Sequence, residues 1–381
     1  MTALEIVFWV CAGLIVWTQV GYAATLAVLA RAFGRAQPIA APEPPPFLSL
    51  IVAAHDEESV ISARVANALA LDYPRDLLEV MVACDGCTDA TAARAREAGA
   101  DVVLELERGG KIRAQDAAVQ RARGDIVAFS DANASWEPEA ARLLVGAFAD
   151  PRVGYACGQV RFVQAAAGAD AGNQEGVYWR YELAVRSNES RLSSITAGNG
   201  AIYATRRDAY IVVDPIMGHD LSLPFNMVRR GLRATYIPAA RATEKMVPSL
   251  LGEFARKRRM MSHTWPILLR GGMLSPRGYP PGYALMIVSH RLLRYLTPFL
   301  HLIVLVANIA LLAFGAGALY EVALALQLAL LLGALLGGVM RIRPLLIARY
   351  YVLTTASPAA GLWDWLRHGT SPSWEAAEGT R

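Results

Sequence analysis

The chain has 381 residues, of which 54% are hydrophobic and 18% are charged, whereas soluble domains carry about 25% charged residues. The deficit lies in residues 6–30, which have no charged side chain, and 295–340, which have only Glu321. Apolar runs of about 20 residues are long enough to cross a bilayer. The composition therefore excludes an ordinary soluble protein, a disordered chain and a collagen-like fibre. The roughly 250 residues between the two runs exclude a bundle made only of spans.

The charge balance favours a membrane over nucleic acid as partner. Lys and Arg number 37 against 33 Asp and Glu, a net charge of +4, and a nucleic-acid-binding domain is expected to be strongly basic. Basic residues beside apolar runs mark the cytoplasmic side of a membrane. Six arginines flank the runs here: Arg31, Arg35, Arg291, Arg294, Arg341 and Arg343. We therefore expect a multi-pass protein of the cell (inner) membrane, with its N-terminus outside and its middle region in the cytoplasm.

Residues 1–30 are predicted to form an N-terminal transmembrane anchor. A signal peptide is the alternative, but the run is long for one, and Glu5 stands where basic residues are expected. Residues 31–47 follow as a stiff Pro-rich linker.

Strand and helix patterns then alternate along the chain. Apolar runs predict strands over 48–54, 78–84, 101–106 and 125–130, and helical spacing predicts helices over 57–71, 89–98 and 112–123. This alternation predicts an α/β fold with a parallel sheet covered by helices on both faces.

Four polar clusters follow these strands or open the next helix. They are HDEE at 55–58, DGCTD at 85–89, GGK at 109–111 and DAN at 131–133. Because parallel strands end together, all four clusters should lie at one edge of the sheet, where ligands bind in such folds.

Each cluster permits a binding role and a purely structural one. Asp131 and Asn133 offer oxygen ligands for Mg²⁺ or Mn²⁺, or they cap a turn. Asp85 can bind a base or a ribose, or it can stabilise its own turn. Lys111 stands at a helix start, where phosphates bind, although GGK lacks the full phosphate-loop spacing.

The four cysteines do not require a disulfide, which suits a cytoplasmic domain. Cys84 and Cys87 form a CxxC pair, which is typical of a redox centre or of half a zinc site. Only Cys157 remains as a third thiol for such a site. The sequence favours the alternative, two small residues in a turn.

In their order along the chain, the motifs resemble family 2 glycosyltransferases of the inverting GT-A type. The matching segments are IVAAHDEE (51–58), CDGCTDAT (84–91), GGKIRAQDAA (109–118), IVAFSDANA (126–134), YWRYE (178–182), GNGAIYATRR (198–207), GHDLSLP (218–224), GLRATYIPAA (231–240) and EFARKRRM (253–260). The anchor and the C-terminal runs resemble the membrane-bound branch related to cellulose and hyaluronan synthases. The resemblance implies a GT-A (Rossmann-like) cytoplasmic domain over 48–262 plus transmembrane helices.

The resemblance also implies a nucleotide-sugar donor and the residues that bind it. His55 would lie under a uracil, Asp85 would bind the nucleoside, and Lys111 would touch the diphosphate. The full set of implied donor-binding residues is His55, Glu57, Asp85, Lys111, Asp131, Arg256 and Arg259.

The metal, the base and the acceptor contacts are implied in the same way. Asp131, with Asn133 in place of a second acidic residue, would hold Mg²⁺ or Mn²⁺. Asp220 would be the catalytic base, and Asn199 and Gly200 would lie near the acceptor.

Three positions depart from the family pattern. His219 stands where an acidic residue often precedes the base, and Arg256 and Met260 replace the Gln and the Trp of a Gln-x-x-Arg-Trp motif. Because that Trp helps to hold a growing polymer in processive synthases, Met260 favours a single transfer.

The basic stretch 256–259 has two interpretations. Arg256 and Arg259 share one helix face and are expected to point to the donor. Lys257 and Arg258 are expected to face lipid, where basic residues bind anionic headgroups.

The remaining residues divide into three predicted parts. Residues 263–294 are an interfacial segment, and 295–343 are a transmembrane hairpin. Residues 344–381 form either a third C-terminal span or an interfacial helix and tail, because the apolar pattern is interrupted by Arg349 and Pro358.

The sequence thus predicts a metal-dependent glycosyltransferase of the hexosyltransferase type. It would transfer a sugar, most simply from a UDP-sugar, to a lipid-linked or saccharide acceptor at the membrane. So few spans per chain are a narrow basis for a polysaccharide channel. A homo-oligomer would supply more of them. The alternatives are a catalytically silent partner of a polysaccharide machine and a sugar nucleotidyltransferase, which would need a Gly-rich basic loop after the first strand.

Overall fold

The computed structural model describes residues 2–35, 42–163, 170–245, 250–340 and 342–372. Part of the predicted linker, 36–41, and the end of the predicted tail, 373–381, lie outside the described residues.

Helices and strands alternate through the middle of the chain, and long helices stand at both ends. In chain order they are α1 (Thr2–Phe33), β1 (Leu48–Ala54), α2 (Ile61–Leu69), β2 (Leu78–Asp85), α3 (Thr91–Glu97), β3 (Val102–Leu106), α4 (Lys111–Arg121), β4 (Ile126–Asp131), β5 (Ser135–Trp136), α5 (Ala140–Gly146), β6 (Val153–Val163), α6 (Asp170–Leu192), β7 (Tyr203–Arg206), α7 (His219–Arg229), β8 (Arg233–Lys245), α8 (Leu250–Leu269), α9 (Pro281–Ala313), α10 (Ala318–Leu336) and α11 (Arg343–His368).

The strands form one eight-stranded sheet in the order β3-β2-β1-β4-β7-β6-β8-β5. The four predicted strands form its parallel half, with Ala54 of β1 opposite Cys84 of β2 and Ala53 opposite Asp131 of β4. The other half is mixed, because β7 runs antiparallel to β4 and β6, and β5 runs antiparallel to β8. The α/β fold and the parallel arrangement of the four predicted strands are confirmed, and the strands that follow them make the complete sheet mixed.

Both faces of the sheet are covered. All seven residues of β1 are buried, and their side chains alternate between two cores. Leu50 and Val52 pack with α2 and α5 on one face, while Ile51 packs with α4 and α7 on the other. A strand that is buried on both faces reads as a continuous apolar run, as the sequence does here.

Three helices in the described part of the chain are long and apolar enough to cross a membrane: α1, α9 and α10. Each of α1 and α9 contains one π-helical turn. The segment that the sequence left undecided, α11, is a continuous helix of 26 residues. It packs along α8 so closely that a Cβ on Gly361 would lie 2.5 Å from the Cβ of Met261.

Candidate active site

The polar residues that follow β1, β2 and β4 lie together at one edge of the sheet, as predicted. His55 follows β1, and its Nδ1 lies 2.7 Å from the carbonyl oxygen of Asp85, the last residue of β2. Arg108 Nη1 lies 2.9 Å from the same nitrogen. Glu57 is buried beside them, and its backbone N–H donates to Thr91 Oγ1 at 2.8 Å. Strand β4 brings Asp131 to the same edge.

The Asp85 carboxylate holds the glycine loop that begins α4. It accepts hydrogen bonds from the N–H groups of Gly109, at 2.6 Å, and Gly110, at 3.0 Å. Gly110 has a φ of 95° and a ψ of 159°, a backbone conformation that is essentially confined to glycine. The structural role that the sequence left open for Asp85 is therefore present, and it fixes the position of Lys111.

Lys111 forms an ion pair with Asp131 in the cavity beside this loop. Burial lowers the pKa of Lys111, but the carboxylates of Asp131, Asp220 and Glu244 together raise it above the usual value. The lysine is therefore fully charged near neutral pH and offers a cation at the start of a helix.

A divalent metal ion fits the residues around Asp131. Asp131 and Asn133 line the same cavity as Glu244, which lies on β8. Burial raises the pKa of Glu244 to about 7, and the negative charge of Asp131 adds to this rise. Oxygen ligands of this kind suit Mg²⁺ or Mn²⁺, and a cation would relieve the repulsion between the two carboxylates.

Asp220 lies in the first turn of α7 and lines the same cavity. Burial raises its pKa above the usual value, and the charge of Lys111 opposes the rise. Its backbone carbonyl accepts a hydrogen bond from the N–H of Gly198 at 2.6 Å, which ties the helix start to the loop that carries Asn199. A positioned carboxylate with a raised pKa is the type of group that serves as a general base.

The neighbouring His219 is turned into the core. Its Nδ1 lies 2.9 Å from the Tyr203 hydroxyl, and its Nε2 lies 3.2 Å from the Tyr210 hydroxyl. Burial, with a smaller effect from Lys111, lowers its pKa to about 3. A neutral histidine that stabilises the sheet thus replaces the acidic residue common in the family.

Asn199 and Gly200 shape the wall opposite Lys111. The Asn199 side chain is buried, accepts a hydrogen bond from Arg186 Nη1 at 2.9 Å and donates to the carbonyl of Gly158 at 2.5 Å. A Cβ on Gly200 would lie 3.7 Å from Lys111 Nζ. Arg186, to which no sequence motif pointed, also lines the cavity.

The basic stretch of α8 divides differently from the prediction. Arg256 and Arg259 line the cavity, and Arg256 forms two hydrogen bonds of 2.8 Å with Glu253. Lys257 and Arg258 do not simply face lipid, because both contact α11. Lys257 Nζ donates to the Tyr350 hydroxyl at 3.0 Å, and Arg258 makes a two-bond pair with Asp364 at 2.6 Å.

Most of these residues line one cavity of about 1050 Å³, whereas His55, Asp85 and Arg258 lie outside its lining. It begins at Lys111 and Asp131, passes Asp220 and continues between the long helices. Side chains of α9 and α11 line its far part, among them Tyr295, Thr297, Leu346, Ile347 and Tyr350. The cavity therefore extends from a polar edge of the sheet to α9, which is long and apolar enough to cross a membrane, and to α11.

The chain beyond α11 returns to the glycine loop. The Thr370 hydroxyl donates to the carbonyl oxygen of Ser262 at 2.8 Å, which fastens this segment to α8. Pro372 then lines the cavity, and its carbonyl oxygen would lie 2.2 Å from a Cβ on Gly110. No sequence signal pointed to this contact.

Comparison with known proteins points to one family. A family model described as Glycosyltransferase like family 2 matches residues 44–262. The beta-monoglucosyldiacylglycerol synthase of Synechocystis sp. is 32% identical over 170 residues, covering 39% of this chain and 33% of that protein. An N-acetylglucosaminyltransferase of Rhizobium meliloti is 28% identical over 236 residues, covering 56% of this chain and 54% of that protein. The chain thus spans between a third and about half of the length of these relatives.

A solved structure shares the fold over almost the whole chain. It is a mannosyltransferase from Pyrobaculum calidifontis in complex with GDP-Man and Mn²⁺, with a TM-score of 0.71 and 21% identity. The match covers 96% of this chain and 99% of that one. The predicted GT-A fold is therefore confirmed.

Proposed function

The chain belongs to the family described as Glycosyltransferase like family 2, and from this membership we propose a membrane-bound, inverting enzyme that uses a UDP-sugar. The family and the named relatives support a glycosyltransferase with a nucleotide-sugar donor. We further propose the identity of the nucleotide, the acceptor class, the topology and the role of each residue. The supporting observation is the single cavity that contains Lys111, Asp131 and Asp220 and continues between α9 and α11.

In the proposed reaction, Asp220 takes the proton of the acceptor hydroxyl as its oxygen attacks the anomeric carbon. The bond from that carbon to the diphosphate breaks in the same step, so the configuration inverts. Negative charge then builds up on the leaving diphosphate, and Lys111, Arg256 and Arg259 stabilise it.

Asp131 and Asn133, together with the Glu244 carboxylate, would hold Mg²⁺ or Mn²⁺. The ion would supply further positive charge to the diphosphate oxygens. At the other end of the donor, His55 and Asp85 would bind the uridine, with Glu57 beside them, and the Asp85 carboxylate would keep the glycine loop in place for Lys111.

The acceptor is proposed to reside in or beside the lipid. Leu346 and Ile347 line the far part of the cavity, and Leu326 and Leu335 of α10 are 67% and 72% exposed, as residues that face lipid would be. The Synechocystis relative is named for a glycolipid product. Met260 lines the cavity at the position of the family's Trp, which favours one transfer over polymerisation.

The proposed topology has α1, α9 and α10 crossing the cell (inner) membrane and the domain over 48–262 in the cytoplasm. Residues 263–294 would lie at the interface, and 295–343 would form the hairpin. A single-cysteine labelling experiment tests this, because Asp208→Cys should react only in opened cells and Thr2→Cys also in intact ones. Labelling of Asp208→Cys in intact cells would contradict the orientation.

The decisive test is a panel of UDP- and GDP-sugars offered to the purified protein in lipid with Mn²⁺, scored by released nucleotide. Asp220→Asn should lower transfer about 10²- to 10⁴-fold while UDP still binds. Asp208→Asn is the matched control, because Asp208 is exposed and does not line the cavity. Full transfer by Asp220→Asn would exclude Asp220 as the base, and a preference for GDP-sugars would exclude the proposed nucleotide. Turnover in the panel also excludes a silent partner.

A further inference from the structure

Three metal-binding groups of different kinds meet just beyond β1 and β2. His55, Asp56 and Cys87 each offer one ligand atom, and these atoms all lie within 4.8 Å of one another. All three residues are only partly buried, so an ion can reach them. The sequence provided only Cys157 as a further thiol, and that residue lies elsewhere, in the core around β6. The fold instead places an imidazole and a carboxylate beside the CxxC pair.

The side chains around this cluster are already oriented. His55 Nδ1 lies 2.7 Å from the Asp85 carbonyl oxygen, so Nε2 is the nitrogen turned toward Asp56, 3.6 Å from its Oδ2. A histidine that binds a metal commonly donates its other N–H to such a carbonyl, and this tautomer requires the Arg108 guanidinium, 2.9 Å from Nδ1, to move aside when the ion binds. The second oxygen of Asp56 accepts the N–H of Thr88 at 2.7 Å, which holds the carboxylate in this orientation.

We propose that His55, Asp56 and Cys87 bind a Zn²⁺ ion next to the nucleobase end of the donor site, with a water molecule as the fourth ligand. Zinc prefers four ligands of the S, N and O types, and tetrahedral geometry places them about 3.5 Å apart. Small side-chain rotations therefore suffice to close the cluster around an ion.

This site selects a different metal from the one beside Asp131. Thiolate and imidazole ligands favour Zn²⁺, whereas carboxylate and amide oxygens favour Mg²⁺ and Mn²⁺. The consequence for catalysis rests on the proposed donor site. A zinc ion and the uracil would both use the His55 ring. Zn²⁺ should therefore inhibit transfer by competing with the donor.

Binding is tested with Co²⁺ on the metal-free, reduced, full-length protein. A thiolate-to-cobalt charge-transfer band should grow to one equivalent and be removed by Zn²⁺. Cys87→Ser should lose the band and bind Zn²⁺ at least tenfold more weakly, because even loss of a group that only supports a ligand costs about 10- to 100-fold. Cys11→Ala, which removes a thiol in α1, is the matched control and should keep the band, as should Asp131→Asn.

Inhibition is tested at saturating Mn²⁺. Zn²⁺ should raise the KM for the donor in the wild type, and Cys87→Ser should need at least tenfold more Zn²⁺ for the same rise. Absence of the cobalt band in the wild type, or an undiminished band in folded Cys87→Ser, would overturn the site. A cobalt band in a protein whose transfer is not inhibited by Zn²⁺ would overturn the proposed competition between Zn²⁺ and the donor. If no sugar is transferred at all, the proposed function fails, but the cobalt spectrum still decides the metal site.

Discussion

Gly110 is the residue at which backbone geometry and the proposed donor site are most closely linked. Its φ of 95° and ψ of 159° exclude most side chains. A Cβ would also lie 2.2 Å from the carbonyl oxygen of Pro372. The N–H of Gly110 donates to the Asp85 carboxylate at 3.0 Å. We therefore expect Gly110→Ala to displace the loop that begins α4 while the sheet stays folded.

The size of the effect follows from these contacts. A residue held in such a conformation costs about 1–3 kcal/mol, and a hydrogen bond to a charged acceptor contributes about 1.5–3 kcal/mol. In the Gly110→Ala variant, the glycine loop would avoid this strain by moving away from Pro372. Donor binding would then have to bring the loop back. A penalty of about 2 kcal/mol corresponds to a roughly 30-fold weaker binding of UDP.

Calorimetric titration of the purified protein with UDP and Mn²⁺ measures this loss. Gly99→Ala is the matched control, because Gly99 also has a positive φ, 93°, but its added Cβ would meet only Leu69, at 3.4 Å. The control should lower the melting temperature by a few degrees and leave the Kd for UDP unchanged. Equal Kd values for the two variants would refute the reasoning.

Three other outcomes are expected. Gly361→Ala should loosen α11 from α8, because its Cβ would lie 2.5 Å from the Cβ of Met261 and 2.8 Å from the Arg258 carbonyl oxygen. Overpacking costs about 1–3 kcal/mol, and thermal unfolding should show this loss against Gly282→Ala, where no atom lies within 4 Å. Burial raises the pKa of Glu244 from 4.5 to about 7, so the metal-free protein should lose stability as the pH rises through that window. The Glu244→Gln variant should lose less stability over the same pH range. Equal pH profiles of the unfolding midpoint for the wild type and this variant would contradict this. Chelation by EDTA should abolish nucleotide release and Mn²⁺ should restore it, whereas turnover that persists in EDTA would exclude metal dependence.

The parallel half of the sheet could be predicted because its strands carry a local signal. Strands β1 to β4 are buried apolar runs, and the sequence located their ends to within one residue. Strands β5 and β7 have only two and four residues, which is too short for any periodicity. They are extended because they pair with longer strands, and such pairing is a tertiary property.

Helix α11 shows why hydropathy alone left an ambiguity. Its polar residues Thr354 and Thr355 line the cavity, while Gly361 packs against α8. One helix thus lines a cavity and also packs against α8 through a glycine and polar pairs, so its composition matches neither a simple span nor a simple surface helix.

The residues of the candidate site and their common edge of the sheet could be predicted, but the contacts between individual side chains could not. The family motifs named Lys111, Asp131 and Asp220, which the structure brings to one cavity. The parallel strands placed the clusters of His55 and Cys87 at one edge of the sheet, but gave no sign that these two side chains would lie within 4.8 Å of each other. The contact between Pro372 and Gly110 joins still more distant parts of the chain.

That last contact has a consequence for the order in which the protein becomes active. The glycine loop is synthesised early, whereas Pro372, which lies against Gly110, is synthesised only after α9, α10 and α11. Under the proposed topology, a nascent chain whose hairpin is still entering the membrane has Lys111 and Asp220 but lacks this wall of the proposed donor site. Completion of the site would then report that the long apolar helices have been made and that α11 has docked on α8, so activity should begin after insertion and not during it.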